Sequence, residues 1–191
     1  MLNFKNVNKI STLLLFIIIS LILNNTIAVI WIFVLVITWF SLTVIGSFHI
    51  RWDYFLKAHH KNEKVNDNVI SLTFDDGPNE VYTIKVLELL KMYNFKATFF
   101  LIGNKIEENS SIVKEIINQG HTIGNHTFSH SNNFGFLKTN EVINDLKKTN
   151  KIIENFHGLK MKLYRPAFGV TNPRISKAVK TLKMTAIGWS V

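Results

Sequence analysis

The 191-residue chain contains no cysteine, only three prolines and nine glycines, and 13 acidic residues against 22 lysines and arginines. Without cysteine there can be no disulfide framework, thiol catalysis, or cysteine-ligated zinc or iron–sulfur centre. The compartment stays open, because exported proteins also manage without disulfides. The shortage of acid leaves a formal net charge of +9 and a pI near 9.7, which excludes an acidic disordered chain. An excess of base can serve nucleic acid or an anionic membrane surface. Here arginine clusters and basic–aromatic interleaving are lacking, the lysines are scattered as on solvated helix faces, and no nucleic-acid partner is expected. Internal repeats and low-complexity segments are also missing, and 22.0 kDa suffices for one ordinary domain.

Charge is absent from two N-terminal stretches. Residues 10–23 are apolar except for Ser11, Thr12 and Ser20, and after Asn24-Asn25-Thr26 residues 27–45 follow with only Thr38, Ser41 and Thr43 as polar positions. As a helix the second run would be about 28 Å long, close to the ~30 Å hydrocarbon core of a bilayer. Trp52 and Tyr54 sit where an interfacial belt would form. The second run is read as a transmembrane helix. The first is either a short span or a signal-peptide core behind Lys5 and Lys9. A hairpin turning at Asn24-Asn25 is the preferred reading, so residues 1–50 form a membrane region contacting the lipid bilayer. In a hairpin both basic flanks (Lys5, Lys9; Arg51, Lys57, Lys61, Lys64) lie on one side, which the positive-inside rule makes cytoplasmic. A single span would put the domain outside.

Residues 51–67 read as a polar linker, and residues 68–191 as the domain proper. Runs of β-formers alternate there with helical periodicity: strand 69–74, helix 80–93, strand 97–102, helix 105–118 ended by Gly120, and a short strand at Thr122-Ile123. A helix over 140–156, capped by Thr139 and stopped by Gly158, is followed by a strand at Leu163-Tyr164. A helix opening at Asn172-Pro173 and a last strand over 184–191 complete the set. Units of about 30 residues imply a parallel sheet or barrel. The polar clusters fall after strands, where the loops of a β/α barrel build its site.

Those clusters carry chemistry. His126 and His130 lie four apart in HTFSH, a spacing that aims two imidazoles the same way if the segment turns helically. Alone, such a pair can equally be solvated or core histidines, and Asp75-Asp76-Gly77-Pro78 can be simply a turn. Taken together, a carboxylate and two neutral imidazoles give three ligands and leave a fourth position for water, the pattern of a catalytic zinc site. The second aspartate is then free to act as a base.

Three segments resemble one family, the polysaccharide deacetylases of the NodB-homology type (carbohydrate esterase family 4). Thr73-Phe74-Asp75-Asp76-Gly77-Pro78 is similar to its first motif, His126-Thr127-Phe128-Ser129-His130 to its second, and Tyr164-Arg165-Pro166-Ala167-Phe168-Gly169 to its third. The resemblance covers roughly residues 68–191 and implies an incomplete (β/α) barrel there, which the apolar runs precede with one or two transmembrane helices. It implies that Asp75 is the general base, that Asp76, His126 and His130 bind a divalent metal, usually zinc, and that Arg165 holds the base carboxylate by a charged hydrogen bond. Pro166, Phe168, Gly169 and the fourth-motif tryptophan, Trp189, would line the substrate site. His121 matches no family position and reads as structural.

The implied activity is removal of N-acetyl, or O-acetyl, groups from a glycan such as peptidoglycan or a chitin-like oligomer by a membrane-anchored hydrolase. Acetylated or lipid-linked sugars are the neighbouring substrate class. The alternative is a non-catalytic glycan-binding or membrane-organising protein with a degenerate deacetylase fold. Two departures stand out: Ala167 replaces the usual proline, and the sequence stops at Ser190-Val191, before the aspartate after the fourth-motif tryptophan and before the fifth-motif histidine. The expectation is therefore a C-terminally truncated domain, inactive as written, with an open sheet edge beside its last strand.

Overall fold

The structure, a computed structural model, describes residues 2–62 and 69–190. Two apolar helices come first, α1 (Phe4–Leu23) and α2 (Ile30–Phe48), joined by a short turn into an antiparallel hairpin. Asn3 caps α1 by accepting the Asn6 N–H at 2.9 Å. The two helices are tied by Trp39 Nε1, which donates to Asn8 Oδ1 at 2.7 Å. Only 6% of either apolar window is buried, so neither is the core helix of a soluble domain. α1 starts six residues before the apolar run, and Lys5 and Lys9 lie within its first turns.

The hairpin brings both helix ends to the domain. The Phe4 N–H donates to the Tyr54 carbonyl at 2.9 Å, and the Tyr54 hydroxyl lies 3.2 Å from Thr43 Oγ1. The Tyr54 ring lies against Gly46, where any side chain would collide with it. Tyr54 is therefore buried in this joint and not free to sit in an interfacial belt.

The domain is an open, curled sheet of six parallel strands flanked by helices. Its strands are β1 (Ala58–His59), β2 (Leu72–Gly77), β3 (Ala97–Leu101), β4 (Thr122–Asn125), β5 (Leu163–Tyr164) and β6 (Thr185–Ile187), in the order β1-β6-β5-β4-β3-β2. The helices are α3 (Tyr82–Met92), α4 (Gly103–Ile106), α5 (Ser110–Asn118), α6 (Thr139–His157) and α7 (Pro173–Thr181). Two apolar clusters form the core. α6 serves both, with Ile152 and Ile153 in one and Val142 and Leu146 in the other.

Several expectations need correction. The first half of the supposed polar linker is structured: Asp53 Oδ1 accepts the Ala58 N–H at 2.8 Å, Ile50, Tyr54, Leu56 and Ala58 are buried, and β1 pairs with β6. The edge of β6 is thus covered by a strand from before the domain, where an open edge was expected. Residues 63–68 of that linker lie outside the described residues. The single helix over 105–118 is two, α4 and α5, separated by a turn at 107–109. Helix α6 starts at Thr139, and the Glu141 carboxylate accepts the Lys138 N–H at 2.6 Å, so the cap lies one residue earlier than expected. The opening of α7 agrees with its sequence signal, since Asn172 Oδ1 accepts the Ile175 N–H at 2.9 Å and Pro173 occupies the first turn. The last strand is only three residues long, and the carbonyls of its final residue Ile187 and of Gly188 turn toward Arg165.

Candidate active site

The C-terminal ends of β2, β4 and β5 bring the three polar clusters together. Asp75 and Asp76 immediately precede Gly77, the last residue of β2, His126 follows β4 and Arg165 follows β5. Asp76 Oδ1 lies 3.4 Å from His126 Nε2 and 3.2 Å from His130 Nε2. Donor atoms sharing one tetrahedral ion at about 2.0–2.1 Å stand about 3.3 Å apart, close to both Asp76–histidine separations, and all three donor atoms lie within 4.8 Å of one another, so the set could hold a small divalent cation. His126 Nδ1 is 2.9 Å from the Arg165 carbonyl; donating there, it leaves the Nε2 lone pair facing Asp76 and His130. Burial holds the His126 pKa below its ordinary value, against the upward pull of the Asp75 carboxylate and the Arg165 carbonyl, which favours the neutral imidazole that a metal would require.

The ring-to-ring geometry of HTFSH does not come from a helix. The segment is a loop in which Thr127 (φ 70°) and His130 (φ 44°) are left-handed. Asp76 (φ 64°) and Phe168 (φ 55°) share that conformation, so strain is concentrated around the site. The loop is held by its surroundings. Asn125, fully buried, accepts the Thr127 N–H at 2.8 Å and donates to the Leu146 carbonyl and to Asn150 Oδ1. Thr127 Oγ1 accepts the His130 N–H at 3.0 Å. Asp145 on α6 accepts the Phe128 N–H at 2.6 Å, the Ser129 N–H at 3.2 Å and the Ser129 hydroxyl at 2.9 Å. Sequence reasoning placed Asn125 in a polar cluster at a strand end but missed Asp145. A carboxylate on an amphipathic helix looks like any solvated charge, and only its distance from the loop in space reveals it.

Arg165 is 3% exposed and fully partnered. Its Nη1 donates to Thr73 Oγ1 at 2.8 Å and Asp75 Oδ1 at 2.9 Å, its Nη2 donates to the Gly188 carbonyl at 2.9 Å, and its guanidinium lies 4.2 Å over the Phe100 ring. Of the residues expected to touch substrate, Phe168 and Trp189 present exposed rings, and Phe168 packs 4.5 Å from the His130 ring. Pro166 and Gly169 are buried and shape the turn instead. Gly169 is required there by its φ of 68° and by the Trp189 ring, 2.8 Å from where a Cβ would sit. His121 lies away from this cluster, packed 5.5 Å from the Phe99 ring, in keeping with a structural role.

Residues 62–187 match the family model described as polysaccharide deacetylase. The chain belongs to the polysaccharide deacetylase family. A peptidoglycan-N-acetylglucosamine deacetylase of Bacillus cereus is 40% identical over 126 residues, which is 66% of this chain and 46% of that protein. The solved structure of peptidoglycan deacetylase PdaC from Bacillus subtilis superposes with a TM-score of 0.61 at 34% identity, over 66% of this chain and 60% of that one. A CE4 family pseudoenzyme from Bacillus anthracis is also similar, with a TM-score of 0.59 at 31% identity over 64% of this chain and 43% of that one. The chain spans about half the length of the curated deacetylase from Bacillus cereus.

Proposed function

We propose that this polysaccharide deacetylase domain is a membrane-anchored, divalent-metal-dependent hydrolase that removes acetyl groups from an N-acetylated glycan. The observation that carries the reading is the cluster of Asp76, His126 and His130 beside the Asp75–Arg165 ion pair. Asp76, His126 and His130 would hold the cation, zinc being the ion this donor set suits best. When bound, the ion supplies Lewis-acid polarisation of the acetyl carbonyl and of water.

The protein's own groups do the rest. Arg165 fixes one oxygen of Asp75, leaving the second to take a proton from the attacking water. His126 is kept in a single tautomer by the Arg165 carbonyl, so ligand and base are positioned by the same residue. The exposed Phe168 and Trp189 rings offer apolar faces on which a sugar can stack. The names of the relatives support an N-acetylated glycan as substrate. The exposed apolar hairpin supports anchoring in a lipid bilayer, because its surface is buried nowhere else within the described residues.

The test is acetate release from an N-acetylglucosamine oligomer by the full-length protein, with and without zinc. Release that is abolished by chelator and restored by metal supports the reading. Release unaffected by chelator overturns it.

A further inference from the structure

The end of α2 packs against the segment that carries Phe168. The Ser47 carbonyl accepts the Thr171 N–H at 2.8 Å, and Ile50, Tyr54 and Leu56 are buried before β1 enters the sheet. Among the described residues, therefore, no extensible spacer separates the hairpin from β1. Thr171 is three residues from Phe168, at most about 11 Å of chain. Since the Phe168 ring lies 4.5 Å from that of His130, the histidines stand close to the last turn of α2.

Between the two runs an apolar groove of about 450 Å³, whose lining includes Phe48, Phe136, Phe168 and Val170. It continues the exposed face of α2. Phe40, Val44 and Phe48, at i, i+4 and i+8, are 60%, 40% and 63% exposed, and Phe136 and Phe168 extend this track at 81% and 53%. A water-borne polysaccharide needs no such track, whereas a lipid chain does. A site fixed this close to a span also cannot follow a polymer that lies tens of ångströms from the bilayer.

Charge sets the side. The domain end of the hairpin carries Lys5, Lys9, Arg51 and Lys57, while the turn at 24–29 carries no charge. With both helix ends at the domain, the positive-inside rule places it in the cytoplasm.

Building on the deacetylase reading above, we infer that the substrate is an N-acetylated sugar carried on a membrane lipid of the cytoplasmic leaflet. Its sugar would lie at Asp76, His126 and His130, and its lipid along the groove of Phe48, Phe136 and Phe168.

Two measurements on the full-length protein in membranes test this. Because the chain has no cysteine, single Glu108→Cys and Asn25→Cys variants can be labelled with a membrane-impermeant maleimide. Labelling of Glu108→Cys in inside-out vesicles but not in intact cells, and the reverse for Asn25→Cys, is expected. Labelling of Glu108→Cys in intact cells overturns the assignment.

The second measurement uses phosphatidylethanolamine–phosphatidylglycerol vesicles holding N-acetylglucosamine linked to a polyprenyl chain, with a soluble N-acetylglucosamine oligomer for comparison. Phe48→Ser and Phe136→Ser should each lower the preference for the lipid-linked sugar about tenfold, as loss of an apolar contact does. Equal losses on both substrates would mean that the rings stack on sugar, and would overturn the lipid groove. Retention of the lipid-linked probe is also measured in an Asp75→Asn background, so the groove is judged without turnover. Retention that Phe136→Ser weakens supports it, and retention that Phe136→Ser leaves alone overturns it. Failure of the deacetylase reading itself shows separately, as metal-independent or absent acetate release from both substrates.

Discussion

Arg165 holds Asp75 through its guanidinium, with Nη1 2.9 Å from Oδ1, while its own carbonyl lies 2.9 Å from His126 Nδ1. One residue after β5 thus orients both the proposed base and a proposed metal ligand. Its two functions are separable, because the carbonyl survives any substitution. Arg165→Ala should leave bound metal largely intact yet lower turnover, and should also leave Asp75 without its cationic partner. Because the guanidinium is buried among two carbonyls, a hydroxyl and a carboxylate, the variant should also unfold at lower urea. Metal analysis beside acetate release checks this, and parallel loss of zinc and activity would contradict the separation.

The ligand assignment makes a sharper demand. Asp76→Ala, His126→Ala and His130→Ala should each lose bound zinc, whereas His121→Ala should keep it, because His121 sits beside Phe99 and outside the three-atom cluster. Elemental analysis of purified protein reads this directly. Equal zinc in His126→Ala and the parent would remove the site.

Asp75→Asn is the complementary change. An amide can still accept from Arg165 but cannot take a proton from water. Metal content should persist while turnover falls about 10²–10⁴-fold. Parental acetate release from this variant would place the base elsewhere.

Asp145 predicts a more distant effect. Its carboxylate ties the Phe128 and Ser129 N–H groups and the Ser129 hydroxyl of a loop whose Thr127 and His130 are left-handed. Released from those bonds, the loop should relax and His130 should drift from Asp76. Asp145→Ala should weaken zinc affinity about 10–100-fold, the usual cost of losing support behind a ligand, with a smaller effect from Asp145→Asn. Competition with a zinc-binding dye measures it. Unchanged affinity would reduce Asp145 to a fold residue.

The clustering of the candidate site was legible in the sequence because its chemistry-bearing residues lie at strand ends at motif spacing, and the alternating β/α pattern fixes where such residues meet. The hairpin was legible for a similar reason, since long uncharged runs have few other uses. What escaped had no local signal. β1 is two residues long, half polar, and paired with a strand more than a hundred positions later, so no periodicity marks it. The break at 107–109 and the left-handed loop were hidden because spacing gives separation along the chain and not backbone conformation. Asp145 was hidden because charge on a helix face is ordinary. Pro166 drew attention as a motif residue, yet its burial shows that a motif position can shape a turn without facing the substrate.

Acid should destabilise the domain through His121. Its Nδ1 lies 3.3 Å from the Ala97 N–H and accepts from it, so that nitrogen must be unprotonated, while Nε2 is buried without a partner. Burial, and then the nearby Lys96 charge, lower its pKa from the ordinary 6.5. A lowered folded-state value means that the unfolded chain takes the proton first. The contribution to stability is therefore full above pH 6.5 and is lost as pH falls below it, toward the folded value. Burial shifts His126 and His157 in the same direction, so the slope is shared. Urea midpoints should fall from pH 7.5 toward pH 5.5, which is about one unit either side of the ordinary imidazole pKa. His121→Gln should be less stable at neutral pH by about 1–3 kcal/mol if the Ala97 N–H loses its acceptor. It should also show a shallower acid slope, because one of the imidazoles whose pKa burial lowers is gone. An acid slope as steep in His121→Gln as in the parent would show that His121 does not contribute to it.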